Sequence, residues 1–137
     1  MADFLADVVP EAAAVSALTE RAAAYLADAG VDNRVAHHVA LILDELLTNV
    51  ATHGASLAPV SVRLLVLADR VTGEVIDRGG CFDPRQAPVP DLSGGIDERQ
   101  IGGLGLLLIR RVTDGFDHER IDDRNRTTFW IRRTPSD

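Results

Sequence analysis

The chain has 137 residues, 46% of them hydrophobic but only 4% aromatic, and a formal net charge of −7. That length suits one domain over residues 1–137 with an aliphatic core, and that charge argues against direct nucleic-acid or anionic-membrane binding, which needs a basic face. All 14 basic residues are Arg, which excludes the P-loop, eukaryote-type protein kinases and Schiff-base chemistry, since each depends on a Lys.

A single cysteine, Cys81, rules out an internal disulfide framework and fits a reducing compartment. The first residues, MADFLADVVPEAAA, lack a basic segment followed by an apolar one, so no signal peptide is expected. No apolar run approaches the roughly 18 residues of a membrane span. A cytoplasmic protein with no membrane contact is the expectation.

Residues 3–9 suit a short first strand. Pro10-Glu11 then opens an Ala-rich helix to about Ala29, with Gly30 as its stop. Val15, Leu18, Ala22, Tyr25 and Leu26 recur at helical spacing and form its buried stripe. Asp32 is placed to cap a second helix over Asn33–His53, ended by Gly54. Its wide stripe of Val35, Val39, Ile42, Leu43, Leu46, Leu47 and Val50 predicts deep burial. Val60–Ala68 and Val71–Ile76 follow as a hairpin turning at Asp69-Arg70.

Residues 77–101 change character, with three prolines, four glycines and many charges. So long a stretch without periodicity inside a small domain suits a functional lid, placed at about 82–101, or disorder. Gly102–Asp114 is a glycine-led helix with an apolar body. Two last strands are expected near Phe116–Ile121 and Thr127–Arg132. The order β-α-α-β-β-lid-α-β-β predicts an α+β two-layer sandwich built on a mostly antiparallel sheet.

Three groups of residues carry chemical potential. Glu45 and Asn49 lie four apart on the second helix and share a face, as a possible base plus metal ligand. The alternative is an exposed polar stripe of Asp44, Glu45, Thr48, Asn49 and Thr52. Asp77 follows a strand and is suited to accept from a ligand amine, with Gly79 leaving room for that ligand; an ordinary Asp/Gly turn is the alternative. Gly102-Gly103-Leu104-Gly105 precedes a helix, where backbone amides and the helix dipole favour an anion.

Order, spacing and setting make the three together specific. They resemble the boxes of the ATPase superfamily shared by gyrase, heat-shock chaperones, histidine kinases and mismatch-repair proteins. The nearest likeness is to the bacterial anti-sigma factor serine-protein kinases. The first box is Leu43–Val50 followed by His53-Gly54, the second Val75–Pro84, and the third Gly102–Ile109, ending at Val112-Thr113-Asp114.

The resemblance implies the histidine-kinase-like (Bergerat-type) fold, with about three helices on one face of the sheet. It implies ATP and Mg²⁺ as ligands, with Asn49 holding the metal. Asp77 takes the adenine amine, Gly79 makes room for the ring, and Gly103, Leu104 and Gly105 give amides to the phosphates. Glu45 is then the general base acting on a substrate serine. Arg85 or Arg99 of the lid is available to close over the γ-phosphate. One departure stands out, since Arg126 occupies the place of a usual glycine before Thr127, the residue to which the resemblance assigns a contact with the adenine end.

The implied activity is phosphorylation of a STAS-type anti-sigma factor antagonist on serine, with sequestration of a sigma factor by partner switching and a homodimeric state. Two other readings compete. One is a non-catalytic module that uses ATP as a conformational latch. The other is a stand-alone relative of a histidine-kinase catalytic domain, which the absence of a preceding phospho-accepting His helix disfavours. His37, His38 and His53 read as surface, packing or helix-end residues, Cys81 has no base at fixed spacing, and Arg110-Arg111 read as a solvated helix edge.

Overall fold

A computed structural model of the chain describes residues 3–53, 58–79 and 107–133. Strand β1 (Phe4–Val8) is followed by helices α1 (Ala12–Asp28) and α2 (Asn33–His53). Strands β2 (Val60–Val66), β3 (Arg70–Asp77), β4 (Gly115–Ile121) and β5 (Arg124–Arg132) complete the set. A further helical stretch covers 107–112. The sheet order is β1-β2-β3-β5-β4, and every neighbouring pair is antiparallel. The fold is the expected α+β sandwich.

The helix ends follow from local chemistry. After α1, Gly30 takes φ +80°, a left-handed conformation open to glycine. It lets Gly30 N–H donate to Ala27 and Val31 N–H to Leu26, each at 3.0 Å. That is a Schellman closure, with Val31 and Leu26 as its buried apolar contact. Asp32 begins α2 as expected, its Oδ1 accepting from Val35 N–H at 2.9 Å.

The core lies between the helices and one face of the sheet. Val15, Leu18, Ala22 and Leu26 of α1 and the α2 stripe from Val35 to Leu47 meet Val60, Val62, Leu64, Val71, Val75, Phe129 and Ile131. Ile109 of the third helical stretch joins them. The alternation of β3 and β5 sends the other residues outward. Among the described residues, no helix is long and apolar enough to cross a membrane.

Gly73 is a packing requirement. It pairs with Phe129 across β3 and β5, and the Phe129 ring occupies the space a Cβ would need. Gly73→Ala is expected to destabilise by about 1–3 kcal/mol through overpacking, read as a lower denaturation midpoint.

One boundary differs from expectation, and it matters for the site. The last strand is expected near Thr127–Arg132, with five residues between Ile121 and its start. Instead Asp122, at φ 56°, permits a two-residue turn, and Ile121 pairs at once with Arg124. The longer β5 brings Asn125 opposite Asp77.

Candidate nucleotide site

A small cavity opens between the C-terminal half of α2 and the β3–β5–β4 part of the sheet. Leu46, Asn49 and Val50 line it from α2, Val75 and Asp77 from β3, Thr127 from β5 and His118 from β4. Apolar walls with a few convergent polar groups are the usual makeup of a small-molecule site.

Asp77 is buried and held from two sides. Its Oδ1 accepts from Gly79 N–H at 2.8 Å and from Asn125 Nδ2 at 3.0 Å. Arg120 clasps this turn, donating to Gly79 O at 2.9 Å and Asn125 Oδ1 at 3.1 Å. Among the described residues both bonds to the carboxylate fall on Oδ1, and none falls on Oδ2.

Asn49 is also buried, unlike Asp44, Thr48 and Thr52. The α2 polar residues therefore do not form one exposed stripe. Among the described residues the Nδ2 of Asn49 is buried without a partner. An unmet buried amide is costly, by about 1–3 kcal/mol, and marks a place shaped for something else.

Glu45 precedes Asn49 by one helical turn, about 6 Å along the axis, outside the cavity lining. It is half-buried, and burial pushes its carboxyl pKa up, with the Asp44 charge adding to the effect. Raised carboxyl groups beside a cavity are candidates for proton transfer.

Arg126 turns to the outer face of the sheet, where it pairs with Glu74 and Glu119 at 2.7 Å each. The cavity-facing neighbour is Thr127, which pairs across the strands with His118. Its Oγ1 lies 3.1 Å from His118 Nδ1. The Gly-to-Arg departure thus leaves Thr127 on the cavity side.

His118 and Asn125 are site residues that sequence reasoning missed. Their signal is inward alternation along β4 and β5, hidden by uncertainty over the turn between them. Gly103, Leu104, Gly105, the lid at about 82–101, Cys81 and Gly54 lie outside the described residues, as does the His53 side chain.

Residues 8–132 match the histidine kinase-like ATPase domain family. The chain belongs to that family. It is 30% identical over 105 residues to the serine/threonine-protein kinase BtrW of Bordetella bronchiseptica, covering 74% of each chain. That likeness places it among protein serine/threonine kinases. The fold matches the RsbU and RsbW domains of Rv1364c from Mycobacterium tuberculosis, at TM-score 0.72 and 14% identity. That match covers 99% of this chain and 34% of the other, so the chain spans about a third of that protein. The SiaB-SiaC complex from Pseudomonas aeruginosa matches at TM-score 0.56 and 15% identity, with 94% and 89% coverage.

Proposed function

We propose that the protein binds Mg-ATP in this cavity and transfers the γ-phosphate to a serine of a STAS-type anti-sigma factor antagonist. It then exchanges that antagonist for a sigma factor as phosphorylation proceeds. The observation that carries this reading is the shared cavity of Asp77 and Asn49, one a clamped carboxylate and the other an unmet amide. The likeness to the kinase BtrW supports the reaction type.

In this reading Asp77 Oδ2 accepts from the adenine amine, and Gly79 lies close enough in the chain to leave the ring space. Asn49 holds Mg²⁺, and its amide oxygen is a suitable hard donor. Among the described residues no group of three or more His, Cys, Asp and Glu side chains forms a metal cage. Mg²⁺ is commonly bound by one or two protein oxygens plus phosphates and water, so the residues present fit it. When bound, the metal neutralises developing charge on the phosphates. Gly103, Leu104 and Gly105 supply backbone amides to the phosphates at a helix start. Glu45 takes the proton from the attacking serine hydroxyl. The protein acts in the cytoplasm as a homodimer, and residues 1–137 form one domain with a lid at about 82–101.

His118 sets the polarity of Thr127. When His118 Nδ1 carries the hydrogen, Thr127 Oγ1 accepts it and the hydroxyl proton is free to donate to adenine N1. Thr127→Val is expected to weaken ATP binding by about tenfold, as for one lost hydrogen bond, and Thr127→Ser to restore much of it. The check is 1-deaza-ATP, which lacks the N1 acceptor. It should bind more weakly than ATP to the wild type and equally to Thr127→Val.

Incubating the protein with Mg²⁺, γ-labelled ATP and its cognate antagonist tests the function. Label on antagonist serine supports the kinase reading. ATP binding without label on serine sinks it, and label on histidine would favour a histidine-kinase role.

A further inference from the structure

Among the described residues, three buried side-chain nitrogens have no hydrogen-bond partner: Asn49 Nδ2, His38 Nδ1 and Arg133 Nε. The first belongs to the nucleotide cavity. The other two share a second cavity of about 570 Å³ at the opposite end of α2. Arg34 lies 15 residues before Asn49 on that helix, about 22 Å along its axis. The two cavities are therefore separate places.

The second cavity is strongly basic. Arg34 and His38 reach it from α2, Arg111 and Asp114 from the end of the third helical stretch, and Arg132 and Arg133 from the end of β5. Four guanidinium groups face one carboxylate on a chain whose net charge is −7. That carboxylate is already engaged, since Asp114 Oδ2 accepts from Arg132 N–H at 2.7 Å. Among the described residues Arg34, Arg111 and Arg132 have no salt bridge. Arg133 donates to the carbonyls of Leu67 and Gly30 at 3.1 and 3.2 Å, which fixes its position, and among the described residues it too has no salt bridge.

Arg34, Arg111 and Arg132 are exposed around the mouth of the cavity, so solvent screens their repulsion. Their guanidinium forks are left free to meet an oxyanion, whose geometry they match. The two unmet buried nitrogens at its base carry a cost that a bound acceptor relieves. The volume falls in the range of ligand sites, about 300–1,000 Å³. We propose that this cavity binds a phosphate group, held by Arg34, Arg111 and Arg132, with His38 as a further donor. The group comes either from free phosphate or from a phosphorylated side chain of a protein partner.

His38 also makes the site sensitive to pH. Burial, then Arg34 and His37, hold its pKa below the ordinary value, and Asp32 opposes them. From the neighbouring elements Arg111, Asp114, Arg132 and Arg133 face the same cavity. A bound dianion favours the imidazolium, so its pKa rises on binding. Binding then takes up a proton at His38, a gain opposed below about pH 6–7 by protonation of the phosphate itself.

The test is a titration of the full chain with inorganic phosphate at constant ionic strength, followed by the histidine ring resonances. The expected result is a saturable shift of His38 with a raised pKa, while exposed His37 stays nearly still. Arg34→Gln and Arg111→Gln should each weaken phosphate binding by about tenfold, with the folded amide spectrum intact. A phosphoserine peptide binding more tightly than phosphate, where its serine counterpart does not bind, assigns the group to a partner; no such gain assigns it to free phosphate. Equal shifts with chloride, an unresponsive His38, or unchanged binding to the Arg34→Gln/Arg111→Gln double variant would overturn the proposal. None of these readouts depends on ATP binding or kinase activity.

Discussion

Glu45→Ala is expected to slow serine phosphorylation by about 10²–10⁴-fold, the usual contribution of a positioned general base, with ATP affinity nearly unchanged. The separation follows from position. Asn49 and Asp77 line the cavity, whereas Glu45 sits one turn away from it. A matching loss of ATP affinity would instead make Glu45 part of the nucleotide site. An unaffected rate would remove the base role, and an unaffected partner switch in cells would favour the latch reading.

The pH profile sharpens this prediction. A base must be deprotonated, and burial with Asp44 raises the Glu45 pKa. The acid limb of the rate profile should therefore lie above the ordinary range of a glutamate. Asp44→Asn removes the second cause and should move that limb to lower pH. Stability runs the other way. A carboxyl group whose folded pKa is raised binds more protons when folded, so stability falls as pH rises through the interval between the unfolded and folded values. Glu45→Gln should accordingly raise the melting temperature at neutral pH, which is a common signature of a strained functional residue.

The second large effect is expected at Asp77. Asp77→Asn keeps an oxygen for Gly79 N–H and Asn125 Nδ2, so the turn should survive. The new amide nitrogen then faces the adenine amine, donor against donor. Hydrogen bonds to charged groups are worth about 1.5–3 kcal/mol, so ATP affinity should fall by about 10–150-fold. Inosine triphosphate presents an acceptor at the same ring position and should lose much less, or gain. Equal losses for the two nucleotides would mean that Asp77 supports the fold rather than reads the base. Competition binding with both nucleotides distinguishes these outcomes.

Much of this architecture is legible in the residue pattern alone. Apolar periodicity places α1 and α2 within a residue or two, because each helix has a clean buried stripe and a chemically explicit end at Gly30 or Asp32. The hairpin β2–β3 is legible for the same reason. Asn49 and Asp77 are visible because a polar residue among apolar neighbours draws notice. Spacing leaves open whether Asn49 belongs to an exposed stripe, and burial answers that. His118 and Asn125 are harder. Each acquires meaning only through cross-strand pairing, His118 with Thr127 and Asn125 with Asp77. That register depends on the tight turn at Asp122, whose positive φ no residue pattern announces. The basic cavity is illegible for a related reason, since its arginines come from three distant segments and individually resemble solvated surface charges.

Amide hydrogen exchange of the full chain with and without Mg-ATP tests the central claim most directly. Nucleotide in the proposed cavity should slow exchange around Asp77–Gly79, Asn125–Thr127 and the last turns of α2, while the β1 edge is unchanged. Bound Mg-ATP that leaves those segments unprotected, or protects the outer sheet face instead, would contradict it.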